Sequence, residues 1–242
     1  MSHIQQLVDT LTAYQALPHH SDPDLKTCLG KIQTWQKQRI KTANTALFSD
    51  RKTAPLANYL IDRIYGDSDF DILAQQLLTA GHNALNGSGR LEKLIPNNAL
   101  ATGILGVKSA VTAISLDLAL SKIMLNNPKM KQEYETSGLN DALMLQAYKL
   151  ADNKHERLEQ LVDLEHVCVQ SDKYFNSFII QKAFPLAKHT AYEHGYQPLY
   201  DFIHDGLSAM KHIKRIEDFT KPFVATERQI IDNIHDKGVI FD

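Results

Sequence analysis

The sequence predicts an all-α fold, a single-domain multi-helix bundle of roughly eight to eleven helices with no significant sheet. Three observations lead there. Apolar residues recur with a period near 3.6 along nearly the whole chain. Gly (11) and Pro (8) are sparse in 242 residues and sit between the periodic runs, which suits long helices with brief punctuation. Strand-like alternation is confined to the short tail Gly238 to Phe241. The length is ample for a real core, and no repeat, low-complexity segment or linker divides it. Residues 1–242 are therefore expected to form one domain, with the first helix (1–20) and the tail (236–242) peripheral.

The elements follow in order. Ile4, Leu7, Val8, Leu11 and Leu17 form a stripe closed by Pro18. Asp22-Pro23 is a helix start, Asp as N-cap and Pro at the first helical position. The helix it opens carries Leu25, Cys28, Leu29, Ile32, Trp35 and Ile40 on one side and is expected to reach Phe48. After a turn over Ser49 to Thr53, Thr53 can cap a helix with Leu56, Tyr59, Leu60 and Ile64 that ends at Gly66, a natural left-handed C-cap.

The next helix begins near Asp69 and carries Phe70, Leu73, Leu77 and Leu78; Asn86-Gly-Ser-Gly89 closes it as a loop. A long apolar helix is predicted from Asn98 to Asn126, where Asn127-Pro128 stops it. Its small residues Ala99, Gly103, Gly106, Ala110 and Ala113 would admit a neighbouring helix closely. A helix from Asn140 to Val169, one from Asp172 broken before Pro185, one from Pro198 and one after Pro222 complete the bundle.

Composition excludes several functions. Net charge is −2, and the basic runs Lys37 to Lys41 and Lys211 to Arg215 alternate with apolar residues as solvated helix faces do. Neither feature favours nucleic acid or an anionic membrane. Cys28 and Cys168 fall on apolar stripes, as buried hydrophobes of a reducing compartment do. No signal peptide is visible, and the most apolar stretch contains Lys108 and Asp117, which a lipid span tolerates poorly. A cytoplasmic protein with no membrane span is expected.

Few motifs bear on chemistry. Asp67-Ser-Asp69-Phe-Asp71 imitates a calcium loop, but Ile72 stands where Gly is needed and Leu78 where Glu is needed. The segment reads as a helix start. Asn86 to Arg90 lacks the strand–loop–helix setting of a phosphate cradle. No G-x-S-x-G, H-E-x-x-H or C-x-x-C occurs, so no catalytic residue is assigned.

Two D-x-x-H pairs remain, Asp163/His166 and Asp201/His204. An acid and a His at i, i+3 share one helix face, and bundles hold two iron or manganese ions with such pairs plus carboxylates from other helices. Asp62, Asp117 and Glu193 are the candidates for those carboxylates. With Asp in place of the longer Glu, the metal reading is the alternative, and no cofactor is predicted.

Arg39 and Asp62 flank the turn near Arg51 at comparable distances, so an antiparallel helix pair would set them at similar height. An ion pair between them, with Tyr65 one turn beyond Asp62, is expected either as a clamp or as the polar part of a ligand pocket.

Gln38-Arg39, Thr42, the Tyr59 to Gly66 block (Y-L-I-D-R-I-Y-G) and Ile95-Pro96 occur in an order that resembles the proteobacterial FFLEELY-motif proteins. Leu116 to Ser121 and Leu199 to Met210 extend the likeness, which spans Gln33 to Ile234. Leu60, Asp62 and Arg63 depart from the motif by replacing an aromatic and two Glu residues, and His204 falls where the family tends to carry Glu. The resemblance implies a helical, bacterial, functionally uncharacterised protein and lends no catalytic residues. The functional expectation is a non-catalytic protein that binds a partner protein or an apolar small molecule in an interhelical groove. The alternatives are a di-metal carboxylate/histidine oxidoreductase in the same kind of bundle, and a helical immunity or adaptor protein.

Overall fold

A computed structural model of the chain describes residues 2–64, 68–87, 97–175, 182 and 184–241. The described residues contain helices and turns and no strand, so the all-α expectation holds. The helices are α1 (His3–Gln15), α2 (Pro23–Ala43), α3 (Thr45–Ser49), α4 (Ala54–Tyr59), α5 (Ser68–Leu85) and α6 (Asn97–Asn126). They continue with α7 (Pro128–Ser137), α8 (Asp141–Ala151), α9 (Lys154–Phe175), α10 (Lys188–Glu193), α11 (Gln197–Met210) and α12 (Glu217–Asp232). Two π-helical turns extend α4 and α12, over Leu60–Ile64 and Asn233–Lys237.

The starts follow the predicted chemistry. Asp22 Oδ1 accepts from the backbone N–H groups of Asp24 and Leu25, with Pro23 at the first helical position. Asn127 and Asn140 cap α7 and α8 in the same way. Several boundaries differ from expectation, among them the predicted break between Val169 and Asp172, which α9 runs through. The second predicted helix breaks at Asn44, whose side-chain amide bonds back to the Ile40 carbonyl and on to Glu227. An extra helix, α7, occupies 128–137. The helix expected over 140–169 is two, because Asp152 adopts a left-handed conformation (φ 46°) that a right-handed helix cannot continue through. The last helix begins at Glu217 rather than after Pro222, which sits inside it.

At the centre, α6 packs most extensively on α9 and also meets α1, α2, α7 and α8. By length and composition, Ala99–Asn126 is long and apolar enough to cross a membrane. In the fold its Asp117 and Ser121 are fully buried against other helices. The α6–α9 pair is antiparallel: Gly106 of α6 faces Val167 of α9, while Asp117 meets Arg157. Three core clusters surround it. One joins α4, α9, α11 and α12 around Phe219; one joins α2, α6, α8 and the C-terminal turn around Met124 and Leu143. The third holds α1, α5 and the first half of α6 around Leu11. The first helix is integral, with Leu11 fully buried and Tyr14 bonded to Asp71 across to α5, while the tail from residue 236 to 241 is exposed apart from Ile240, which is buried in the second cluster.

Candidate functional site

Two adjoining chambers lie along the α6–α9 seam. The larger, about 240 Å³, is walled by α4, α5, α6, α9 and α11 and is almost wholly apolar. Leu56 and Tyr59 come from α4, Leu73 and Leu77 from α5, Val167 and Cys168 from α9, and Phe202 and Leu207 from α11. From α6, Gly103 and Gly106 supply the remaining wall. A Cβ placed on Gly103 would meet nothing within 4 Å, and one on Gly106 would find only Val167 Cγ1 at 3.7 Å. Within the small-residue stripe Ala110 is buried against this chamber and Ala113 is buried one turn on, whereas Gly103 is exposed at the chamber's edge. Tyr59 is fixed by its hydroxyl, which donates to the Phe202 carbonyl at 3.1 Å, and burial holds its phenol well above the ordinary range. Burial likewise pushes the Cys168 thiol up to about 12, so this cysteine is a hydrophobe and no nucleophile.

The smaller chamber, about 90 Å³, lies further along the same seam, between α2, α6, α8, α9 and α12, and shares Leu60 and Ala110 with the larger. Its wall is polar on one side. Arg39 donates to Glu227 Oε2 at 2.7 Å, and Asn44 donates to the other Glu227 oxygen at 2.8 Å. Arg157 donates to Asp117 Oδ1 at 3.3 Å and to Asn153 Oδ1 at 3.1 Å. Gln36 joins the two ion pairs: its amide N–H groups reach Asp117 (3.0 Å) and the Tyr148 hydroxyl, and its carbonyl accepts from Arg39 Nε at 3.3 Å. The Arg157 guanidinium lies over the Tyr148 ring, 4.6 Å from its centre, a cation–π contact. Each buried cation thus has its own buried anion, which is what makes burial of four charges tolerable.

Both π-turns border this chamber: Leu60 and Ile61 come from the first, Ile234 and His235 from the second. A π-turn inserts one residue into a helix and rotates the side chains that follow, and such turns concentrate at functional sites. The His235 ring packs edge-on against Tyr148, its Nε2 is buried without a hydrogen bond, and burial together with Arg157 pushes its pKa down.

The predicted site residues fare differently. Arg39 lines the polar chamber. Asp62 does not: both of its oxygens bond Lys41 Nζ, at 3.0 and 3.2 Å, on the exposed side of the helix pair. The height argument was sound to within a turn, but Arg39 and Lys41 lie roughly 200° apart around α2, so Asp62 faces the second and Glu227 the first. Tyr65 lies outside the described residues. The D-x-x-H pairs do not converge. His166 and His204 are exposed, Asp201 accepts from Tyr192 at 2.6 Å, and Asp117 and Glu193 are paired with Arg157 and His189. Among the described residues no three His, Cys, Asp or Glu side chains are grouped to hold a metal ion.

Sequence reasoning missed Glu227, Asp117 with Arg157, Gln36 and Tyr148. Their spacing across five helices leaves no local signature; a charged residue on an otherwise apolar stripe, as at Asp117, was the one available sign. It also missed a surface cluster in which Tyr14 donates to Asp71 beside His20, with His19 buried behind them.

A family model of a domain of unknown function, DUF8198, matches residues 15–239. The chain belongs to the DUF8198 family. No curated protein and no solved structure matches it. The matched span includes α2 to α12, and with them both chambers and both π-turns, so the candidate site lies within the family domain.

Proposed function

We propose that this DUF8198 protein is a non-catalytic binding protein that accommodates an apolar small molecule between its helices. The observation that carries the reading is the apolar chamber of about 240 Å³ between α4, α5, α6, α9 and α11, with the exposed Gly103 at its edge. An apolar cavity of about 150 Å³ suffices to bind benzene in a protein core, so this one has room for a monocyclic or short-chain hydrocarbon. The buried charges beside it are paired, Arg39 with Glu227 and Arg157 with Asp117, as in a scaffold that positions a pocket. The resemblance to the FFLEELY-motif proteins agrees with a bacterial, cytoplasmic setting.

The test is thermal denaturation with and without benzene, alongside the Gly103→Leu variant. At ligand tenfold above Kd, binding contributes about 1.4 kcal/mol, a rise of roughly 3–5 °C for a chain of this size. Gly103→Leu sets a large apolar side chain over the exposed edge of the chamber and improves helix propensity, so it should be at least as stable as the parent without ligand and should show a smaller rise. An unmoved wild-type Tm at saturating benzene refutes the reading, as does an equal rise in the variant.

A further inference from the structure

Three hydrogen-bonding groups that line the polar chamber beside the apolar one have no hydrogen bond to the described residues. Ser109 of α6 is buried, Gln160 of α9 is half-buried, and His235 is half-buried with its Nε2 enclosed. None of the hydrogen bonds made by the described residues engages the Ser109 hydroxyl or the Gln160 amide. Of the three, His235 Nε2 is enclosed, where a polar group is as a rule paired, and Ser109 and Gln160 add two further groups from two other helices around about 90 Å³. The space exceeds what one water needs.

The chambers share Leu60 and Ala110 and follow one another along the α6–α9 seam. Together they reach the lower end of the roughly 300–1,000 Å³ range of small-molecule sites. Their polarity is segregated, apolar at the Gly103 end and hydrogen-bonding at the Ser109 end.

We infer that the ligand is a linear amphipathic molecule with a neutral polar head, a medium-chain alcohol or primary amide, whose chain fills the apolar chamber and whose head meets Ser109, Gln160 and His235. This rests on the binding reading above and names its ligand class. Charge decides for a neutral head. The two guanidiniums lining the polar chamber, Arg39 and Arg157, are matched by Glu227 and Asp117, so the chamber has no surplus positive charge to offset a buried carboxylate. An anion there would carry its desolvation cost with little return. A hydroxyl or amide exchanges donor and acceptor roles with Ser109 and Gln160 at far lower cost.

The experiment measures the binding of 1-octanol, octanoate and benzene at pH 8 by calorimetry, in the wild type, Gln160→Leu and the Ser109→Ala/Gln160→Leu double variant. The expected result is that 1-octanol binds at least tenfold more tightly than octanoate. The double variant weakens 1-octanol about tenfold and Gln160→Leu about threefold, each lost hydrogen bond counting for about that much, with benzene unchanged in both. Octanoate binding as tightly as 1-octanol overturns the neutral head. Loss of benzene and 1-octanol in parallel, or of neither, overturns the placement of the head. If benzene binds the wild type and 1-octanol does not, the amphipathic ligand falls while the apolar cavity reading stands. If neither binds, both fall.

Discussion

Glu227→Leu is the most informative single substitution, because Glu227 of α12 accepts from two groups at the end of α2, Arg39 and Asn44. Its side chain is 5% exposed and that of Arg39 is 9% exposed, and the bond between them is 2.7 Å. Removing the carboxylate leaves the Arg39 guanidinium buried with a longer bond to Gln36 at 3.3 Å, and takes from Asn44 one of its two amide bonds. Breaking one side of a buried ion pair costs about 3–5 kcal/mol. Since Arg39 keeps Gln36, the lower end, about 3 kcal/mol, is the expected loss. The double variant Arg39→Met/Glu227→Leu removes both charges and keeps apolar volume, so it should recover most of that loss. Urea denaturation of the two single variants, the double and the wild type gives the coupling energy. A value of about 2 kcal/mol or more, with the double more stable than Glu227→Leu alone, is the expected outcome. Additive losses would show that the pair is not energetically connected and sink the argument.

Three other outcomes follow from the same structure. Asp62→Ala should change stability by no more than about 0.5 kcal/mol, because the Lys41 bridge is roughly half exposed on both sides, and an Arg39–Asp62 double-mutant cycle should be additive. Gly206→Ala should destabilise by about 1–3 kcal/mol in denaturant titration, since its Cβ would stand 2.7 Å from the ring and hydroxyl of Tyr59, which is itself bonded to the next turn of α11. His19, 6% exposed, has its pKa pushed down to about 4 by burial and by the neighbouring His20. The unfolded chain then binds the proton first as pH falls below about 6.5, so stability contributed by neutral His19 is present above that value and is lost down to about pH 4. The loss is at most about 3 kcal/mol. His19→Asn should flatten the pH dependence of the urea midpoint between pH 6.5 and 4, and an unchanged slope would contradict the assignment.

The sequence disclosed what helical periodicity and capping chemistry can encode. Asp22-Pro23 and Asn140 open helices where they were expected to, whereas Asn127-Pro128, read only as a stop, also caps α7. Non-local facts were hidden. That Arg39 meets Glu227, 188 residues away, depends on how α12 packs against α2, which no local pattern specifies. The two π-turns were hidden for another reason. Leu60 to Ile64 and Asn233 to Lys237 read as ordinary helix by periodicity, and one inserted residue alters the face without altering composition. Asp62 shows the consequence: counting at 1.5 Å per residue placed it near α2 at the right height, yet on the side facing Lys41. Within the small-residue stripe, sequence had no means of separating the buried Ala110 and Ala113 from the exposed Gly103.

Two buried ion pairs beside a cavity need an explanation other than stability, because well-packed apolar residues of similar volume would serve as well or better. Position supplies one. Arg39 and Gln36 come from α2, Asp117 from α6, Tyr148 from α8, Arg157 from α9 and Glu227 from α12, so the network fixes five helices at one level of the bundle. Apolar contacts alone would permit those helices to slide together and close the neighbouring space, since collapse onto a cavity is what a hydrophobic core gains from. Directional bonds resist that sliding: moving α9 by one residue along α6 would separate Arg157 from Asp117 and strand both charges. The pairs thus act as a frame that holds the helices in register beside the chamber that Gly103 and Gly106 border. On this argument the apolar substitution of both pairs raises stability while reducing benzene affinity. A quadruple variant that gained stability and bound benzene as the wild type does would show that the chamber is held open by packing alone.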